Sequence, residues 1–142
     1  MNVKIKKLTK NARIPEYASI GSAGADLYNA AEDLTIAPGA SVSVGTGIAM
    51  QIPAGYVGLV YARSGLACKY GLAPANKVGV IDSDYRGEIK VVLYNQSSET
   101  RTIAAGERVA QIVIAPYIRC EFEEGDIDST SRGEGGFGST GK

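Results

Sequence analysis

The sequence predicts an all-β protein whose many short strands form a sandwich or a barrel. Short runs rich in Val, Ile and Tyr recur along the chain, and Gly or Pro residues separate them. This spacing is typical of antiparallel sheets joined by tight turns. Helical periodicity is almost absent. The chain has 142 residues, 44% of them hydrophobic, which fits one domain around one apolar core.

The predicted elements follow one another in chain order. Apolar and polar side chains alternate in the first two segments, while the others are apolar runs between turn residues. The segments with strand patterns are residues 3–8, 41–44, 47–53, 56–63, 87–95 and 108–117. A helical turn or two is predicted around residues 66–70, directly after the strand that ends in Arg63-Ser64-Gly65.

Residues 76–91 predict a β-hairpin, in which one apolar run leads into an acidic turn and a second run returns. Asp82 and Asp84 lie in that turn. Short acidic side chains in turns commonly bond their own backbone, which is the simpler interpretation. A carboxylate held at a strand end can instead serve as a general base.

The composition changes after Phe122. Residues 123–142 are polar and then rich in Gly, so they cannot pack a core, and a flexible tail is predicted after a domain of residues 1–122. Residues 136–142 match part of a phosphate-binding P-loop, but no strand precedes them, so we reject that fold. Exposed backbone N–H groups there can still wrap an anion. Phe137 is either a harmless exposed ring or a ring that stacks on a nucleobase.

Composition excludes several classes of function. Lys plus Arg and Asp plus Glu both number 15, and this balance argues against a general nucleic-acid binder. The absence of His removes the Ser-His-Asp triad and imidazole zinc sites.

Cys68 and Cys120 are predicted to be reduced, partly buried thiols. No apolar run is long enough for a membrane span and no secretory signal is visible, so a cytoplasmic location is predicted.

Five fragments occur in a fixed order along the chain. They are Ala-Gly-Ala-Asp-Leu (23–27), Ala-Arg-Ser-Gly-Leu-Ala (62–67), Gly-Val-Ile-Asp-Ser-Asp-Tyr-Arg-Gly-Glu (79–88), Gly-Glu-Arg-Val-Ala-Gln (106–111) and Arg-Gly-Glu-Gly-Gly-Phe-Gly-Ser-Thr (132–140). In order and spacing they resemble the five motifs of the trimeric dUTPase family. One such fragment is weak support, whereas five in order cover nearly the whole chain.

The resemblance implies a distorted β-jelly-roll and a homotrimer with three active sites at subunit interfaces. Each site would be closed by residues 123–142 of a neighbouring subunit. It also implies Mg²⁺-dependent hydrolysis of dUTP to dUMP and pyrophosphate, which limits uracil in DNA and supplies dUMP for thymidylate synthesis. No nucleic-acid or membrane partner is expected.

The resemblance assigns roles by position. Asp82 would activate the attacking water, Tyr85 would lie under the deoxyribose, and Asp26 would support the metal through water. Uracil would be read by Asn76, Val78 and Gly79. The phosphate ligands would be Arg63, Ser64, Gly65 and Gln111. In the tail, Phe137 would stack on uracil. Arg132 would hold the terminal phosphates and act as a catalytic arginine finger. Further contacts with these phosphates would come from Gly138, Ser139 and Thr140. Glu88 and Lys90 receive no role.

Three other functions remain open at this stage. A dCTP deaminase would share the jelly roll and the Arg-Ser fragment, but it would need a further acid, and residues 89–94 contain none. The chain could also act as a nucleotide-sensing partner of another protein. A structural or carbohydrate-binding jelly roll is the third alternative.

Overall fold

The computed structural model describes residues 1–136, and this part of the chain contains twelve β-strands and one short helix. The helix, α1 (Ser64–Tyr70), lies between β7 and β8. The strands are β1 (Lys4–Lys7), β2 (Glu16–Tyr17), β3 (Ala25–Tyr28), β4 (Leu34–Ile36), β5 (Ser41–Gly45), β6 (Ile48–Gln51), β7 (Tyr56–Tyr61), β8 (Leu72–Pro74), β9 (Gly79–Ile81), β10 (Lys90–Asn95), β11 (Arg101–Ile103) and β12 (Arg108–Pro116).

The described strands form four antiparallel sheets. The largest has the strand order β2-β3-β12-β7-β9, with the nine-residue β12 at its centre. A second sheet has the order β5-β10-β8, and two strand pairs, β1-β6 and β11-β4, complete the layers. These small sheets enclose one apolar core and form a distorted jelly roll, which confirms the predicted fold class.

Strand β10 shows how the sequence produces this packing. Its buried residues, Val91, Leu93 and Asn95, alternate with exposed ones, as a strand with one face on the core requires. Asn95 is fully buried, and its side-chain amide donates to the carbonyls of Ile36 and Glu99 at 2.9 and 2.8 Å. The polar side chain therefore ties β10 to β4 without an unpaired buried group.

The helix predicted around residues 66–70 is confirmed, although it begins two residues earlier, at Ser64. Its buried residue is Leu66. It ends at Gly71, whose φ of 68° lies in the left-handed region that glycine adopts without strain. This short helix fixes Ser64 and Gly65 at the end of β7.

The prediction of a β-hairpin over residues 76–91 is wrong. β9 pairs with β7, whereas β10 pairs with β5 and β8, so the two apolar runs belong to different sheets. Residues 82–89 cross between those sheets, and the N–H of Ile89 donates to the Ile48 carbonyl at 2.9 Å. An apolar run on each side of a turn does not specify which strand each run pairs with.

Cys68 and Cys120 are both free thiols, as predicted, but both are exposed rather than partly buried. Cys68 lies on the outer side of α1, and Cys120 follows the last strand. Beyond β12, residues 117–130 form neither helix nor strand and are exposed. The boundary predicted at residues 122–123 stays a prediction.

No helix in the described range, residues 1–136, has the length and apolar character that a membrane span requires.

Candidate active site

Three neighbouring strands place Asp26, Tyr61 and Gln111 in one row across the largest sheet. In the strand register, Gln111 of β12 lies opposite Asp26 of β3 on one side and Tyr61 of β7 on the other. Residues directly opposite one another in a sheet project from the same face. The row therefore forms the floor of a cleft of about 430 Å³, which Arg63, Ser64 and Gly65 also line.

Asp26 organises the positive charge around this cleft. Its carboxylate is buried, and Oδ1 accepts a hydrogen bond from Nε of Arg63 at 2.8 Å. Oδ2 accepts another from Nη1 of Arg108 at 3.3 Å. Two guanidinium groups around one carboxylate leave a surplus of positive charge, because each Arg keeps its proton. The arrangement favours an anionic ligand such as a phosphate.

Ser64 and Gly65 form the first turn of α1 and are exposed at the edge of the same cleft. The N–H groups of a first helical turn have no carbonyl partner within the helix. Arg63, which precedes the helix, keeps an extended backbone with a ψ of 129°. The Arg-Ser-Gly fragment therefore presents a guanidinium, a hydroxyl and backbone donors along one wall, and its role as a phosphate ligand stays a prediction.

Gln111 faces the cleft rather than bulk solvent, and its position depends on Gly24. Its Nε2 donates to the Ala62 carbonyl at 2.9 Å. A Cβ atom on Gly24 would overlap Oε1 of Gln111 and come within 3.2 Å of its Cβ. Only glycine at position 24 leaves this amide in place.

A second group of predicted residues lies on the other side of β7. Asn76 and Gly79 line a cleft of about 340 Å³ together with Val60 and Ala75. Asn76 occupies a tight turn in which the N–H of Lys77 donates to the Pro74 carbonyl at 3.0 Å. Val78 is exposed next to this turn and is not among the residues that line the cleft.

Asp82 and Tyr85 line an adjoining cleft of about 210 Å³. Both are exposed, and the N–H of Tyr85 donates to the Asp82 carbonyl at 3.1 Å, which closes a turn. The Tyr85 hydroxyl donates to the Glu88 carbonyl at 3.0 Å, so the ring folds back over Gly87. The two smaller clefts share Val80, Ile81 and Lys90, and they form one continuous region of the surface.

Within residues 1–136 of a single chain, the two groups of predicted residues do not share a cavity. None of the residues that line the cleft of Arg63 and Gln111 lines the clefts of Asn76 and Asp82. Arg132 lines none of these clefts, and its Nε donates to the Gly135 carbonyl at 2.8 Å. The remaining tail predictions, Phe137, Gly138, Ser139 and Thr140, lie outside the described residues.

Sequence reasoning missed Tyr61 and Glu88, which line these clefts, and Arg108, which pairs with Asp26 beside the first of them. Tyr61 and Arg108 could have been found, because both belong to strands whose predicted ends meet at the cleft. Glu88 gave no signal of its own, since its carboxylate accepts a hydrogen bond from Gly47, which lies 41 positions earlier in the chain.

A magnesium ion fits the large cleft only in company with a phosphate ligand. Residues 1–136 contain no cluster of three or more His, Cys, Asp or Glu side chains. Both oxygens of Asp26 accept hydrogen bonds from arginines, so this carboxylate is poorly available for direct coordination. Mg²⁺ keeps several of its waters and commonly binds substrate phosphates. The donor set therefore suits an ion held by phosphate oxygens and water near Asp26.

The fold and clefts define a jelly-roll protein with a cationic cleft for an anionic ligand. The family model described as dUTPase matches residues 10–141. The chain therefore belongs to the dUTPase family, and it is an enzyme, a hydrolase of nucleotide metabolism. This confirms the resemblance seen in the five sequence fragments.

Named relatives match over the full chain. The deoxyuridine 5'-triphosphate nucleotidohydrolase of Anaplasma marginale (strain St. Maries) is 51% identical over 99% of each chain. The protein of the same name from Nautilia profundicola is 50% identical over 100% of each chain.

Solved structures give the same fold. A mutant dUTPase of Staphylococcus bacteriophage 80alpha with dUpNHpp has a TM-score of 0.91 at 30% identity, over 99% of each chain. A mutant dUTPase from phage phi11 of S. aureus, whose structure reveals the coordination of a structural Mg(II) ion, has a TM-score of 0.82 at 27% identity. That match covers 89% of this chain and 98% of the phage protein.

Proposed function

We propose that this protein hydrolyses dUTP to dUMP and pyrophosphate by attack of water at the α-phosphate. The reaction would limit uracil in DNA and supply dUMP for thymidylate synthesis. The cleft of Arg63, Ser64 and Gln111 supports the proposal most directly, because its positive surplus suits a polyphosphate. The nucleotidohydrolases of Anaplasma and Nautilia are named for deoxyuridine 5'-triphosphate, which supports dUTP as the substrate.

Asp82 is the proposed general base. Its carboxylate is exposed at the mouth of a small cleft, where a water molecule can reach it, and its carbonyl is held by the N–H of Tyr85. A positioned base of this kind contributes about 10²- to 10⁴-fold in rate. The remaining stabilisation in phosphoryl transfer comes from alignment and charge neutralisation, which Arg63, Ser64, Gly65 and Gln111 would supply.

The two clefts beside β9 would select the uracil base and the deoxyribose sugar. Asn76, Val78 and Gly79 would read the uracil edge, and position 79 is tight, because an added Cβ would lie 3.2 Å from the Cβ of Val60. A close approach of this segment to the base would leave no room for a thymine methyl group. The ring of Tyr85, which packs against Gly87, would form a floor under the deoxyribose that leaves no room for a 2′-hydroxyl.

A homotrimer would bring the two halves of the site together. The phosphate cleft and the clefts of Asp82 and Asn76 are separate within one chain, so the proposal places them at an interface between subunits. Residues 123–142 would then close over a neighbour's site, with Arg132 on the phosphates and Phe137 on uracil. Mg²⁺ would enter with the triphosphate and neutralise its charge, with Asp26 supporting it through water.

Pyrophosphate release from dUTP, dTTP, dCTP and UTP with Mg²⁺ tests the proposal. Release from dUTP alone is expected, and Asp82→Asn is expected to lower it by at least about 100-fold, the loss typical of a missing general base. Asp84→Asn is the matched control, because Asp84 is an exposed carboxylate in the same turn. If no pyrophosphate is released from dUTP, the chain is better explained as a dCTP deaminase or as a nucleotide-sensing partner of another protein. Release of ammonia from dCTP would then identify the deaminase.

Removal of residues 132–142 tests closure by the tail. The truncated chain should lose most of its turnover of dUTP, because an arginine finger is typically worth about 10³- to 10⁵-fold in other phosphoryl-transfer enzymes. Its circular dichroism and its oligomeric mass should match those of the full chain. Full turnover by the truncated enzyme would rule out the proposed role of the tail.

A further inference from the structure

We propose that Glu88 is a positioning residue that fixes the loop of Asp82 and Tyr85, and thereby the selection of deoxyribose over ribose. The inference rests on the proposed function for its substrate, and it gives a role to a side chain that the sequence analysis left without one. Glu88 lines the same cleft as Asp82 and Tyr85. It lies near the end of the crossing segment, residues 82–89, that joins β9 to β10.

The side chain of Glu88 reaches the turn between β5 and β6. Its Oε1 accepts a hydrogen bond from the N–H of Gly47 at 2.9 Å. A Cβ on Gly45 would lie only 2.8 Å from the same oxygen, so the carboxylate packs directly on that strand end. Gly47 has a φ of 65°, a conformation in which glycine is unstrained, and this turns its N–H toward Glu88.

Neighbouring contacts make this attachment rigid. The Ile89 carbonyl accepts hydrogen bonds from both the N–H and the hydroxyl of Thr46, at 3.3 and 2.5 Å. The N–H of Ile89 donates to the Ile48 carbonyl at 2.9 Å. Thr46 and Ile89 are fully buried, so the end of the crossing segment is anchored to the core.

The backbone of Glu88 in turn holds the Tyr85 side chain in place. The Tyr85 hydroxyl donates to the Glu88 carbonyl at 3.0 Å, and the ring lies against Gly87, where any side chain would overlap it. Two hydrogen bonds therefore connect these groups: the Gly47 N–H donates to the Glu88 carboxylate, and the Tyr85 hydroxyl donates to the Glu88 carbonyl. Lys90 lies 3.7 Å from Oε2 and is more than half exposed, so its ion pair adds little.

Loss of the carboxylate should release the ring that excludes a 2′-hydroxyl. Glu88→Ala is expected to lower the ratio of kcat/KM for dUTP to kcat/KM for UTP by about tenfold, which corresponds to about 1.4 kcal/mol. Glu88→Gln keeps an oxygen that can accept from Gly47 and should restore most of the ratio. Glu99→Ala is the matched control, because Glu99 also pairs with a cation, Arg101, but lies outside the clefts.

Amide hydrogen exchange without nucleotide provides a readout that is independent of turnover. Glu88→Ala should speed exchange at Gly47 and at Tyr85, whereas Glu88→Gln and Glu99→Ala should leave both near the unmodified rates. Unchanged exchange at Tyr85 in Glu88→Ala would overturn the inference, and so would an equal loss of activity on dUTP and UTP. If the unmodified enzyme does not cleave dUTP, the proposed function fails, and the exchange rates still decide the role of Glu88.

Discussion

Asp26 shows how a buried carboxylate can hold two arginines beside a proposed anion site. Removing one guanidinium partner would leave the buried charge with a single hydrogen-bonded cation, and uncompensated buried charges are costly. The pairing with Arg63 and Arg108 keeps both arginines in place before a ligand arrives. This preorganisation spares the enzyme the cost of ordering long side chains during binding.

Gly24 is a second residue whose effect is exerted through a neighbour. Gly24→Ala should displace the Gln111 side chain and raise KM for dUTP several-fold, because the phosphate cleft loses a positioned amide. Kinetics on dUTP measure the change. Gly21→Ala is the control, since an added Cβ at that position would have nothing within 4 Å. An unchanged KM in Gly24→Ala would show that Gln111 does not contribute to binding.

Sequence and structure agree on some site residues and not on others. The grouping of Arg63, Ser64 and Gly65 with Gln111 could be predicted, because strand ends and an ordered motif place them together. Arg108 lies within the fourth motif, but its partner Asp26 lies 82 positions earlier, so no local pattern indicates the pair. The contact of Glu88 with Gly47 is equally non-local.

At the scale of elements, local patterns located several strands but not their partners, and they missed the short strands β2, β4, β8 and β11. Apolar runs between turn residues predicted β10 and β12 at nearly their observed positions. The expected pairing of β9 with β10 failed because the side-chain pattern of a strand specifies its buried face, while its neighbours depend on the whole sheet.

Asn95 joins elements that are distant in sequence, and its removal should be costly. Asn95→Ala leaves the carbonyls of Ile36 and Glu99 without their donor; the Ile36 carbonyl is buried, and one unsatisfied buried group costs about 1–3 kcal/mol. Chemical denaturation should show a loss in this range. Asn11→Ala is the control, because Asn11 is exposed and a change there should stay within about 0.5 kcal/mol. If Asn95→Ala and the unmodified protein had equal free energies of unfolding, the bridging role of Asn95 would be contradicted.

At the scale of the molecule, the single chain leaves large apolar side chains uncovered. Ile20, Ile118, Phe122 and Ile127 are all at least 88% exposed, and three of them follow the last strand. Apolar side chains this exposed are available for contact with a neighbouring subunit in the proposed oligomer. The separation of the phosphate cleft from the Asp82 cleft also supports the proposed oligomer, because the described residues of one chain do not bring the two halves of the proposed site together.

Complementation between two inactive chains tests whether sites are shared. Asp82→Asn should disable the base, and Arg63→Gln should disable the phosphate cleft while its amide can still donate to Asp26. Each variant alone should lose about 100-fold or more of its activity on dUTP, the scale of one missing transition-state contact.

If each site takes its two halves from different subunits, chains co-expressed in equal amounts should recover about one quarter of full activity, since random assembly gives each half an even chance of being intact. Single-variant preparations at the same concentration are the controls. Sites built within one chain would give no recovery, because every chain would hold a defective half. Recovery well below one quarter with intact oligomers would place both halves on one subunit.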